Sequence, residues 1–281
     1  LIELATVFEF GERVTGLCQF GVAKMPTIDP APDANLIRRN LVKGGARLAG
    51  LAAASLFGVG GAGAVSPCFM RGTPVLTASG ERNVEDLAIG DLLVTQSGAV
   101  RPILWVGRYG YKRSDVSRPW VADARPVRVA KSALAPNVPD RDLFITQAHA
   151  LFIDGALVPA GSLLNGDTIS LYAADEFDAL EYFHIKLETH DVIFAANAPC
   201  ETLLGVTEVA ANFAEYTRLY GAPQTDEAPC HPLLAFNGGR SELASRLRST
   251  ISPFIDRRTL LDAIRDRLEA RADAMKANVE G

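Results

Sequence analysis

The feature that most constrains this chain is the spacing of its turn signals between Phe69 and Glu201. Gly, Asn, Asp and Ser interrupt short apolar runs there at roughly ten-residue intervals. A βαβ crossover unit needs about 30 residues, so this punctuation leaves it no room and predicts a compact, mostly β domain. Strands are expected at Pro74–Thr77, Val84–Leu87, Leu92–Thr95, Val100–Val106, Val127–Ala130 and Leu143–Thr146. Further ones are expected at Ala150–Ile153, Leu157–Pro159, Thr168–Tyr172, Tyr182–Leu187 and Val192–Ala195. Asp154-Gly155 is set for a tight hairpin turn, and the charged, mixed stretch Tyr109–Trp120 reads as an excursion loop. After Gly205 the period changes. Ser241–Leu247 and Leu260–Met275 read as helices, with Leu261, Ile264, Leu268, Ala272 and Met275 on one apolar face that packs on the β domain. Asp262, Arg265, Asp266, Arg267 and Glu269 are expected to face water around that stripe. The expected division is therefore a leader region over 1–67, a β domain over 68–204 and a partly helical extension over 205–281.

The leader has its own physics. From Met25, a polar, proline-rich stretch leads to Arg38, Arg39, Lys43 and Arg47, and Leu48–Ala64 then carries no charge and is rich in Ala, Gly and Leu. Ala62-Gly63-Ala64 closes this run as a small-residue cleavage site. The paired arginines resemble the twin-arginine export signal of bacteria, which implies a periplasmic or secreted protein that meets the membrane only through an uncleaved leader. On this reading residues 25–64 are the signal, and Leu1–Lys24 is a wrongly extended frame or a dispensable extension. Cleavage after Ala64 leaves Cys68 close to the new terminus, an exposed position for a nucleophile.

Charge and cysteine usage narrow the function. Lys plus Arg total 28 against 33 for Asp plus Glu, a net charge of −5, so there is no global basic field that would direct the chain to nucleic acid. Cys18, Cys68, Cys200 and Cys230 contain no CxxC pair, which excludes a zinc knuckle or dithiol loop of that kind. In an exported protein Cys200 and Cys230 form either one disulfide that ties the tail to the last strand or two buried free thiols. His231 sits beside Cys230 without a complete ligand set, and the leader glycines do not make a phosphate loop, so no metal and no cofactor are expected.

The chemistry-bearing residues form two local blocks: Cys68-Phe69-Met70-Arg71-Gly72-Thr73 and Thr146-Gln147-Ala148-His149. A thiol needs a base or a lowered pKa to attack, and a peptide bond needs its departing amine protonated. His149 can supply that proton, and Thr146 can orient the peptide from the same short loop. A third block, Tyr182–Asn197, carries His184 and His190, and His184 reads as a strand residue on the alternate face.

Cys68–Thr95 resembles the opening block of the Hint domain, shared by inteins and the autoprocessing half of hedgehog proteins, through Cys68, Gly72, Thr73, Gly80, Val84, Glu85, Asp86, Leu87, Gly90 and Asp91. Thr146 and His149 match the family's TxxH block, and His190 falls on the motif histidine of the late strand pair. The resemblance implies a horseshoe-like β fold and catalytic roles for Cys68, Thr146, His149 and His190. It also implies an N-to-S acyl shift in which the Cys68 sulfur attacks the Pro67 carbonyl, a single turnover on the chain's own N-terminal segment. Water, a small nucleophile or another protein would resolve the thioester. Where inteins end on His-Asn followed by Cys, Ser or Thr, this chain runs on as Cys200-Glu201-Thr202, so full splicing is not expected. His190 is then a relic, a supporting hydrogen-bond donor or an activator of an incoming nucleophile. The alternative function is a catalytically inert, exported Hint-fold module used for binding or structure.

Overall fold

The structure is a computed structural model that describes residues 67–280 apart from 114, 116, 209, 224–226, 237–238 and 254. The leader reading and Cys18 lie outside the described residues. In chain order the strands are β1 (Phe69–Met70), β2 (Pro74–Thr77), β3 (Gly80–Asn83), β4 (Leu92–Val94), β5 (Val100–Pro102), β6 (Trp105–Lys112) and β7 (Val127–Val129). They continue as β8 (Leu143–Ile145), β9 (Ala150–Ile153), β10 (Ala156–Pro159), β11 (Ile169–Leu171), β12 (Ala179–Lys186), β13 (Val192–Ala195) and β14 (Ala198–Glu201). Three helices follow among the described residues: α1 (Phe213–Tyr220), α2 (Gly239–Ile251) and α3 (Leu260–Glu280). No helix among the described residues is long and apolar enough to cross a membrane.

The strands form two sheets, ordered β11-β7-β8-β1-β12-β6 and β10-β9-β14-β13-β2-β4-β5, with β3 joined to β2. Their pairings are all antiparallel, which agrees with the mostly β expectation. β1 and β2 belong to different sheets although only Arg71–Thr73 separates them. Gly72, at φ +83, makes that change of direction possible, since a Cβ is strained there. The two curled sheets form a horseshoe around one apolar core, to which Phe69, Ile145 and Phe183 contribute from one sheet and Val75, Leu151 and Ile193 from the other.

Several expectations need correction. Tyr109–Trp120 is not wholly a loop, because β6 runs on to Lys112 and pairs residue for residue with β12, from Ala179↔Lys112 to Lys186↔Trp105. The expected strand Val84–Leu87 is instead a 3₁₀ turn over Val84–Asp86. β14 was not anticipated, because it contains Pro199 and follows a turn built from Ala196 and Asn197, both at positive φ, with no glycine to mark it.

The helical tail belongs to the same packed body. Leu261, Ile264 and Leu268 of α3 enter the main core. Arg267 pairs with Asp154 at 2.6 Å, and Arg271 Nε donates to the Ser132 carbonyl at 2.6 Å. Asp262 and Arg265 are buried and do not face water as expected. Asp262 accepts two hydrogen bonds from Arg248 of α2, at 2.6 and 3.0 Å, and caps α3 by accepting from Thr259 N. The buried carboxylate thus joins the two helices, because a charge removed from water needs a partner of this kind.

Candidate active site

Cys68 lies at the head of β1, the central short strand between β8 and β12. Phe69 pairs with Ile145 on one side and Phe183 on the other, and this register brings the TxxH loop and His184 to the bond preceding Cys68. The Cys68 N–H donates to Thr146 Oγ1 at 3.0 Å, and Thr146 N donates back to the Cys68 carbonyl at 3.0 Å. The two residues, 78 apart in sequence, thereby clamp the amide side of the Pro67–Cys68 bond. His149 closes the loop through its N–H to the Thr146 carbonyl, and its ring packs on Phe69 with centroids 4.3 Å apart. The sequence-predicted residues Cys68, Thr146 and His149 therefore converge.

Cys68 is buried in the uncleaved chain. Burial pushes its thiol well above the ordinary cysteine value, against a smaller lowering effect of the Thr146 hydrogen bond. At rest the sulfur is a neutral thiol and needs a base to attack. Burial also holds His149 below the ordinary imidazole value, opposed by Glu201 and by nearby backbone. His149 Nε2 faces the Glu201 carbonyl at 3.1 Å. A carbonyl only accepts, so Nε2 carries the proton and Nδ1 keeps its lone pair. Nδ1 is buried without a hydrogen-bond partner.

Two residues of this site escaped the sequence reading. His184 does not point away; its Nδ1 lies 2.8 Å from the Pro67 carbonyl oxygen, and its two ring nitrogens lie 3.4 and 3.6 Å from Cys68 Sγ. Burial lowers its pKa to about 4, so the ring is neutral at physiological pH, with Nδ1–H donating to Pro67. Gly107, opposite His184 on β6, leaves room for this ring: a Cβ there would lie 3.0 Å from His184 Cδ2 and 2.5 Å from the Trp105 ring. The second is Glu201 on β14. Its carboxylate accepts from Ala150 N at 2.8 Å and from His190 Nε2 at 3.3 Å, while its carbonyl holds His149. No sequence signal marked Glu201, because β14 itself was not anticipated, and strand alternation concealed His184.

His190 stands behind these groups. Its Nδ1 accepts from Cys230 N at 3.0 Å, and its own N–H donates to Glu227, which also pairs with buried Lys186. Cys230 is exposed and Cys200 buried, and neither is in a disulfide, so the bridge offered as one alternative is absent. Cys200 is the buried thiol anticipated by the other alternative, and Cys230 is not. His231 packs on Phe152, and the described residues contain no group of three or more His, Cys, Asp or Glu able to hold a metal ion.

The Hint-domain family profile matches residues 67–207, half of the chain. The chain belongs to the Hint-domain family. Self-processing is the general activity of that family, and Hint domains act on their own flanking sequence. No curated protein matches the chain. Among solved structures, the Hint domain is similar to a bacterial intein-like domain from Clostridium thermocellum, at 17% identity over 48% of this chain and 97% of that one, with a TM-score of 0.34. It is also similar to the gp41-1 intein, at 13% identity over 48% and 98% with a TM-score of 0.34. A DnaB intein from Synechocystis sp. PCC 6803 matches at 13% identity over 49% and 99%, again with a TM-score of 0.34.

Proposed function

We propose that this Hint domain opens its own Pro67–Cys68 bond once, by an N-to-S acyl shift without splicing. The observation that carries the reading is the grip on one peptide bond from both ends, with Cys68 N–H on Thr146 and the Pro67 carbonyl on His184 beside the Cys68 sulfur. In the reaction the Sγ–C bond to the Pro67 carbonyl carbon forms as the Pro67 C–Cys68 N bond breaks. The thiol proton passes to the departing amine. His149 Nδ1, with its lone pair unengaged, is the relay that takes and returns this proton, while Glu201 holds the ring in the required tautomer. His190 orients Glu201 and so supports the site from behind. Water, a small nucleophile or another protein then takes the acyl group from the thioester.

The raised pKa and burial of the Cys68 thiol favour a second reading, an exported Hint scaffold that no longer turns over. The twin-arginine leader supports export under either reading. One experiment separates the possibilities: intact mass and N-terminal sequencing of the full chain recovered from bacterial compartments, with and without added hydroxylamine or thiol. An amino terminus at Val65 in the exported fraction marks leader removal, and one at Cys68 marks self-cleavage. Cys68→Ala is expected to abolish the second product, and His149→Ala to slow it by about 10²–10⁴-fold. A wild-type precursor that behaves like Cys68→Ala, with or without nucleophile, leaves the inert scaffold as the function. A cytoplasmic chain with its leader intact removes the export reading.

A further inference from the structure

We infer that His184 is the group that binds the oxyanion when the Pro67 carbonyl is attacked, from a seat opposite Gly107 that its ring shares with Trp105. The inference rests on the acyl-shift reading and adds to it a residue with a separate role. When sulfur attacks, the carbonyl π electrons move onto Pro67 O, and that oxygen carries the developing negative charge until the C–N bond breaks. The donor already in place is Nδ1–H of His184, 2.8 Å from the oxygen. It is buried and fixed in β12, so it needs no reorganisation when charge appears, and it acts where water does not screen it. Thr146 cannot fill this role, because its hydroxyl faces the Cys68 N–H on the other side of the same bond. His149 cannot either, because its only protonated nitrogen in the neutral ring is committed to the Glu201 carbonyl. The division of labour is therefore spatial: Thr146 and His149 serve the nitrogen, and His184 serves the oxygen.

The seat of the ring supports the assignment. Gly107 pairs directly with His184 across the β6–β12 ladder, and a side chain at that position would collide with Trp105 and press on the imidazole. Backbone conformation does not demand glycine at position 107; the space filled by the two rings does.

The test uses the full precursor and three substitutions at one position. His184→Leu fills the site without a donor and is expected to slow thiol-induced cleavage by about 10²–10³-fold. His184→Asn, whose amide nitrogen superposes on Nδ1, is expected to recover at least tenfold of that loss. His184→Gln, which carries its amide at the Nε2 position, is expected not to recover it. Thermal unfolding of each variant separates loss of fold from loss of the donor. The contact is also read without any cleavage: in the Cys68→Ala precursor, the ¹³C resonance of the Pro67 carbonyl is expected to move when His184→Leu is added and to return with His184→Asn. Cleavage of folded His184→Leu at the wild-type rate, or an unchanged Pro67 resonance, overturns the inference and leaves the acyl-shift reading standing. A wild type that never cleaves overturns both.

Discussion

Two buried imidazoles lie beside the Pro67–Cys68 bond, and both resist protonation because burial disfavours their charged forms. This has a consequence for stability with a definite sign. His184 has a pKa of about 4 in the folded protein against an ordinary value of 6.5, so between these values the unfolded chain binds a proton that the folded chain does not. Stability is therefore full above pH 6.5, falls as the pH drops towards 4 and levels off below that. The contribution of His184 amounts to roughly 3 kcal/mol. Denaturant midpoints measured from pH 7.5 to 4 are expected to show this slope, and His184→Asn is expected to flatten it in part, with the remainder due to His149. A slope identical in wild type and variant would place the pH sensitivity elsewhere. Cys68, Thr146 and His149 were legible in the sequence because they sit in short local blocks whose residue types carry the chemistry. His184 and Glu201 were not, because their parts depend on strand register and on which ring nitrogen holds the proton. Neither property exists along a one-dimensional string.

The β6–β12 ladder carries most of what the sequence hid. Arg108, Tyr109, Gly110, Tyr111 and Lys112 show no clean apolar alternation, since Tyr109 and Tyr111 pack on the cluster that contains Cys68 without being fully buried, so a strand looked like a loop. β14 was disguised by Pro199 and by a turn that forces Ala196 into positive φ. α3 was plain, because Leu261, Ile264, Leu268 and Ala272 recur at a spacing that only a helix turns to one side. The ladder also supplies a test of packing. Gly107→Ala places a Cβ 2.5 Å from the Trp105 ring, closer than atoms pack, so Trp105 and His184 have to shift. The substitution is expected to cost about 1–3 kcal/mol, visible as a lower thermal midpoint together with a changed tryptophan emission. Wild-type stability and emission in Gly107→Ala would show that the rings are not tightly seated.

The family match ends at residue 207, but the packed body does not. Residues beyond it close the site from behind, with Cys230 N and Glu227 on His190 and the Leu157 backbone pairing with Pro232 and Leu234. α3 then fills the core with Leu261, Ile264 and Leu268. During synthesis these side chains appear about 200 residues after Cys68, which at ribosomal speed is roughly ten to forty seconds. Until then the core is missing part of its filling, and until residues 227–230 are made His190 has only Glu201 of its three partners. The reacting residues are made early, and the groups that fix them in place are made late. Nascent chains arrested before residue 227 are accordingly expected to keep the Pro67–Cys68 bond intact under added thiol, and full-length chains to lose it; equal cleavage in both would show that the tail is dispensable. If the proposed cleavage at Pro67–Cys68 takes place, a chain arranged in this way carries its own delay: whatever precedes Cys68 stays attached throughout translation and can be used before it is cut away.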